Sequence, residues 1–188
     1  MNIPDLQPAS ADDEAFFPDG PGRPGLLVHD GDLHLSQHLT GQVQLLVRGS
    51  LHVEGTVAVD DANVLGVEGD LRCPHLICGG ELLIDGAVHV EGLILGYNPG
   101  GRSTFDLAAA RVFLKGSNHD WEVTAAERAE LLVEFDDFCP APEGRADVLG
   151  NVLTSDALEV LGDLLGIADD GDEEAIEALM KAGQVLRG

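Results

Sequence analysis

Four short phrases set polar side chains in equivalent places: Asp32-Leu33-His34-Leu35, Ser50-Leu51-His52-Val53, Asp70-Leu71-Arg72-Cys73 and Ala87-Val88-His89-Val90. If the phrases stack, His34, His52, Arg72 and His89 form one outward column, beside Asp32, Ser50, Asp70 and Ala87. Two imidazoles one layer apart are a candidate metal pair. Arg72 interrupts the column, however, and a solvated polar ladder is the simpler account. Cys73-Pro74-His75-Leu76-Ile77-Cys78 has the outline of a metal loop. Cys73 falls in the slot held by Leu35, Val53 and Val90, and Cys78 in an apolar strand slot, so both read as small core residues. Asn118-His119-Asp120-Trp121 sets a His beside an Asp, the makings of an acid–base pair, yet neighbours on a strand point to opposite faces. No motif places a Ser or Cys nucleophile with them, and a capping turn is the better account. Asp169-Asp170-Gly171-Asp172 hints at a calcium loop, but Gly166 and Ala168 stand where oxygen ligands are needed. Phosphate-binding glycine patterns and the signatures of zinc proteases and α/β-hydrolases are absent. The expectation is a non-enzymatic protein with no cofactor and no metal.

The elements that carry these residues repeat. Gly31, Gly49, Gly69 and Gly86 open the four phrases, and Phe105-Asp106-Leu107-Ala108-Ala109 reads as a worn fifth copy. The starting points are 18, 20, 17 and 19 residues apart. An apolar cluster precedes each Gly, and a second apolar piece follows each phrase, as in Val57-Ala58-Val59, Leu76-Ile77-Cys78 and Leu93-Ile94-Leu95. Within a phrase the period is 2, so Leu33 and Leu35 face one way and His34 the other. A lone coil cannot bury its inward row, whereas coils stacked about 4.8 Å apart bury a continuous core. Glycine at the corners supplies backbone angles that other residues avoid. The prediction is a mainly β protein whose residues 25–123 form about five coils of parallel β-helix, right-handed by the crossover rule. A β-sandwich is the alternative, and strands at about 8–12-residue spacing would favour it.

The flanks read differently. Residues 1–24 hold five prolines and an acidic run, Asp12-Asp13-Glu14, and are expected to form an irregular arm. Its Phe16-Phe17 pair is a candidate plug for the open first coil. After Val123 the pattern turns helical: Thr124 and Glu127 have capping-box spacing, followed by Leu131, Leu132, Phe135 and Phe138. Further helices are expected over 155–165 and 172–182, ended by Gly166 and Gly183. Residues 124–188 are therefore expected to be an α-helical cap and segment, since a β-solenoid needs its ends covered.

The chain has 188 residues, with 10 basic and 34 acidic side chains, a formal charge of −24. Nucleic acid and anionic membranes both require a basic face, so neither is an expected partner. No apolar run approaches the roughly 20 residues of a membrane span. The first residues lack a basic, then apolar, leader, so a secretory signal is not expected. Three cysteines (Cys73, Cys78, Cys139) at irregular spacing do not make a disulfide framework, which suits a reducing cytoplasm. Residues 124–188 hold 4 basic and 16 acidic side chains, half of the net charge.

The stretch from Gly25 to Val123, and residues 79–98 above all, resembles small bacterial β-helix proteins of the polymer-forming, bactofilin-like type. Bactofilins are cytoskeletal polymers of stacked β-helices. Relatives of similar appearance are candidate immunity proteins found beside polymorphic toxins. The resemblance implies one of two non-catalytic roles. In the first, an acidic surface docks over a basic toxin domain and neutralises it. The residues singled out for that surface are Asp32, His34, Asp70 and His89 on the solenoid, with Asp169, Asp170, Asp172, Glu173 and Glu174 in the acidic run. In the second, the protein self-assembles as a scaffold. The helical C-terminal segment and the charge argue against polymerisation, because a capped end cannot stack and like charges repel.

Overall fold

The computed structural model describes residues 3, 5–18, 23–40, 43–59, 63–96, 101–116 and 119–135. Gln7–Pro8 form β1, and Ala11–Glu14 a single helical turn, α1. The repeating body follows as β2 (Leu27–His29), β3 (Leu33–Leu35), β4 (Gln44–Val47), β5 (Leu51–Val53), β6 (Val57–Val59) and β7 (Val64–Val67). It continues through β8 (Leu71–Cys73), β9 (Leu76–Cys78), β10 (Glu81–Val90), β11 (Leu93–Gly96), β12 (Arg102–Gly116) and β13 (Asp120–Phe135).

These strands build three parallel walls. The first stacks β2, β4, β7 and the start of β10. The second stacks β3, β5, β8 and the end of β10. The third stacks β6, β9 and β11. β12 is long enough to continue all three, and β13 pairs along it. One inward column runs Leu33, Leu51, Leu71, Val88, Ala108, then the position of Glu127, five steps from coil to coil. The protein is thus a β-solenoid of about five turns, with strands spaced as in any parallel sheet.

Side-chain alternation explains the walls. In β3, β5 and β8 the outer residues are buried and the middle one is exposed, matching Leu-His-Leu, Leu-His-Val and Leu-Arg-Cys. The lumen is filled by these inward columns and closed toward β13 by Phe105, Phe113 and Trp121. Cys73 and Cys78 are unbonded to each other and lie in that core, as their slots predict. The third wall is apolar on both sides: its outward column Ala58, Ile77, Leu95 and Leu114 is also buried. That is why β6, β9 and β11 read as unbroken apolar runs.

The expected backbone conformation occurs at the first corner, Gly31, whereas the later corners have a different cause. Among the described glycines only Gly25 and Gly31 have positive φ. Gly49 and Gly86 are needed for space: a Cβ would lie 2.7 Å from Asp32 N at the first and 2.6 Å from Gly69 O at the second. Successive corners sit backbone on backbone, and a side chain would push the coils apart.

Three further expectations change. The helix expected from Thr124 is strand β13, Asp120–Phe135. Its Ala- and Glu-rich stretch has good helix propensity, but that preference is weak against a complete ladder along β12. Thr124 Oγ1 donates to Asp106, one coil back, instead of capping a helix. The helices expected over 155–165 and 172–182 lie outside the described residues. The worn repeat copy is out by one residue. Ala87 pairs with Leu107 and Val88 with Ala108, because β10 has two residues, Asp85 and Gly86, where β12 has only Asp106. Finally, within residues 5–18 the arm forms regular elements, and it is Ile3 and Leu6, not Phe16 and Phe17, that pack against the core of the lumen. β1 pairs antiparallel with β2, and Ser10 and Asp13 form a capping box on α1. Phe16 and Phe17 then lie across the side of the first wall, with Phe17 packed on Leu26, Val28, Leu46 and Val64. Gly66 makes the room, since a Cβ there would be 2.8 Å from the Phe17 ring.

Candidate functional site: the outer columns of the second wall

Three outward columns run side by side along the solenoid. At the corner before the second wall, the register places Asp30, Arg48, Glu68, Asp85 and Asp106 in sequence. Next come Asp32, Ser50, Asp70 and Ala87, and then His34, His52, Arg72, His89, Ala109 and Arg128.

The first column is a strip of carboxylates with a single cation. Arg48 is held by Asp30 at 3.3 Å and by Asp13 of the arm. Burial disfavours the Asp13 carboxylate, but hydrogen bonds from Ser10 and Arg48 outweigh it and hold the group below the ordinary range. At the other end of the strip, partial desolvation and the charge of Asp106 push Asp85 upward.

The second column is structural. Ser50 N–H donates to Asp32 Oδ1 at 2.8 Å, Asp70 N–H to Ser50 Oγ at 3.2 Å, and Ala87 N–H to Asp70 Oδ1 at 2.9 Å. Each side chain satisfies a corner amide of the next coil, one that the strand ladders leave unpaired. Asp32 and Asp70 each therefore commit Oδ1 to the fold, which leaves Oδ2 outside these inter-coil bonds.

The third column borders an open groove of about 910 Å³, lined by His52, Arg72, His89, Arg111 and Arg128 among others. His34 lies outside this groove. Its ring stacks on His52 at 4.6 Å and 16°, and its Nε2 meets Glu54 at 3.2 Å. Parallel stacked rings direct their nitrogens side by side and not toward one ion. Among the described residues no group of three or more His, Cys, Asp or Glu is placed to hold a metal.

The structure thus brings Asp32, His34, Asp70 and His89 onto one side of the solenoid, as neighbouring columns. Asp169, Asp170, Asp172, Glu173 and Glu174 lie outside the described residues. Sequence reasoning missed the corner strip Asp30, Glu68, Asp85 and Asp106, although each of the first three stands immediately before a repeat glycine. It also missed Arg128, which the helical reading removed from the column, and Arg111.

His119 acquires an unforeseen partner. Its Nε2 is 2.8 Å from Ser103 Oγ, the spacing of a nucleophile and its base. Ser103 and His119 are 0% and 4% exposed, and Trp121 lies against the imidazole. The Cys78 thiol beside them is pushed up to about 12 by burial, so it remains protonated. A substrate would have to enter the core to reach this pair. Its evident work is to satisfy polar groups inside the lumen.

No family model, curated protein or solved structure matches the chain. Among the described residues no helix is long and apolar enough to cross a membrane. The solenoid and its outer columns are what remain to define function.

Proposed function

We propose that this protein is a non-catalytic binding module, an immunity protein that neutralises a basic toxin domain by covering its substrate groove. The observation that carries this is the carboxylate strip at the corner of the second wall. Partial burial, and after it the charge of Asp106, push Asp85 upward, so the strip holds negative charge at a cost. A basic partner relieves that cost, and a column of charges repeated at about 4.8 Å steers such a partner along the solenoid axis. Asp32 and Asp70 extend the strip by their Oδ2 atoms, and His34 and His89 flank it. The C-terminal acidic run, Asp169 to Glu174, adds to the negative charge of the chain. In this reading the coil is right-handed, residues beyond the solenoid supply a helical cap, no cofactor takes part, and the setting is the cytoplasm of the cell that makes the toxin.

Affinity purification from native cells, followed by mass spectrometry, tests the proposal. One stoichiometric basic partner, lost on Asp85→Asn/Asp106→Asn, is the expected result. Recovery without any basic partner overturns it.

A second reading rests on a different observation. β13 pairs with β12 along one edge, and among the described residues no strand pairs with its other edge. An open ladder edge is a template for another chain. A bactofilin-like scaffold predicts large assemblies at micromolar concentration, and a monodisperse monomer on sizing excludes it.

A further inference from the structure

The groove on the second wall has the opposite sign to the protein as a whole. Among the described cations, Arg23 pairs with Glu81, Arg48 with Asp13 and Asp30, Arg102 with Glu122, and Lys115 with Glu127. Arg72 and Arg128 have no carboxylate partner among the described residues, although acidic side chains outnumber basic ones 34 to 10 in the chain. Both are exposed, both stand in the third outward column, and both line the same groove with Arg111. Between them the column holds His89 and then Ala109. Ala109 is the one short side chain there, and with Ala110 and Ala129 it leaves a notch in the groove.

We infer that this groove binds an extended acidic segment of a protein partner, with one carboxylate on Arg72, a second on Arg128 and a small apolar side chain between them in the Ala109 notch. The spacing supports this. Arg72 and Arg128 are three coils apart, about 14 Å at the inter-strand spacing of a sheet. An extended peptide rises about 3.3 Å per residue and shows residues i, i+2 and i+4 on one face, so i and i+4 are about 13 Å apart. The sequence recognised is therefore acidic-x-apolar-x-acidic. Guanidinium suits it, because a planar fork takes a carboxylate through two hydrogen bonds.

Charge also decides against a polyanion. Glu54 and Glu91 line the groove, and the carboxylate strip runs two columns away. A nucleic-acid backbone would bring phosphates against both, whereas two separated carboxylates meet only the arginines. The inference is independent of the toxin proposal, which uses the carboxylates and needs a basic ligand. Side by side, the two surfaces would fix a partner's register, since opposite-signed neighbours penalise a shifted complex.

Fluorescence anisotropy with the full chain and a labelled peptide, Thr-Glu-Thr-Val-Thr-Glu-Thr, provides the test. The expected result is saturable binding that weakens with added salt. Replacing both glutamates of the peptide by glutamine should weaken it at least tenfold, and so should Arg72→Ser/Arg128→Ser in the protein. Circular dichroism of that variant should be unchanged, because neither side chain supports the fold. No saturable binding up to millimolar peptide overturns the inference. So does equal affinity for the glutamine peptide, or an unaffected double variant. Tighter binding of a dT oligonucleotide than of the glutamate peptide also overturns it, in favour of a general anion site. Asp85→Asn/Asp106→Asn leaves this assay unchanged, so the two proposals fail separately.

Discussion

His75 Nδ1 accepts the backbone N–H of Leu93, one coil further on, at 3.3 Å. The same corner of the first coils repeats the arrangement, with His38 Nδ1 accepting from Thr56 N–H at 2.9 Å. Gly55 and Gly92 stand beside the two rings, where a Cβ would collide with them. These imidazoles act as inter-coil caps, and they do so only while Nδ1 carries no proton.

That requirement makes the solenoid acid-sensitive at this corner. Burial holds His75 below its ordinary value near 6.5, and nearby Glu91 offsets this only in part. A lowered value in the folded state gives stability that is full above the unfolded value and lost as pH falls through the folded one. The melting temperature should therefore drop as pH falls below about 6.5. His75→Gln, whose amide oxygen can still accept, should shrink that drop, and an equal drop in both proteins would refute the capping role. His75→Ala strands the Leu93 N–H and should cost about 1–3 kcal/mol at pH 7.5 by denaturant unfolding.

The arm is fastened where the first wall lacks a side chain. Gly66→Leu would drive atoms into Phe16 and Phe17 and into Leu46. Such overpacking costs about 1–3 kcal/mol. The arm should then lift, and a glutamate-specific protease should cut after Glu14 at least tenfold faster than in the parent protein. Phe17→Ala should do the same by removing the buried ring. Unchanged cleavage in both variants would show that β1 alone holds the arm.

Asp85 gives a pH effect of the opposite sign. Its raised value means that its contribution to stability is present at low pH and lost as pH rises through the folded value. Asp85→Asn should raise the melting temperature at pH 7 and leave it unchanged near pH 3. A lower melting temperature at pH 7 would show that the carboxylate makes a favourable contact outweighing its repulsion.

The inward columns set the stability of the whole. Leu51 and Val88 are both fully buried. Leu51→Asp or Val88→Asp places an unpartnered charge in the lumen, so neither variant should show cooperative unfolding. His89→Ala, one residue beyond Val88 and facing outward, should fold normally. A soluble, cooperative Val88→Asp variant would contradict the assignment of the columns.

The amino-acid sequence alone determined the stacking repeat. Leu33, Leu51, Leu71 and Val88 are in phase with glycine corners, and period-2 alternation tells the inside of a strand from its outside without reference to any other part of the chain. It also determined that Cys73 and Cys78 belong to the core and that His34, His52, Arg72 and His89 form one outer column. Those are consequences of local geometry repeated. What depends on contacts across coils was decided by the tertiary structure. Thr124–Phe135 is a strand because β12 offers it a ladder, an interaction that no local propensity records. Arg128 joins the column of Arg72 only through that pairing, and the shift at Asp106 moves the second-wall positions Leu107, Ala108 and Ala109 by one. Phe17 crosses the first wall because a gap at Gly66 faces it, and Ser103 meets His119 because their coils stack directly on one another. Repetition is written along the chain, whereas register and cross-coil contact exist only once the coils are stacked.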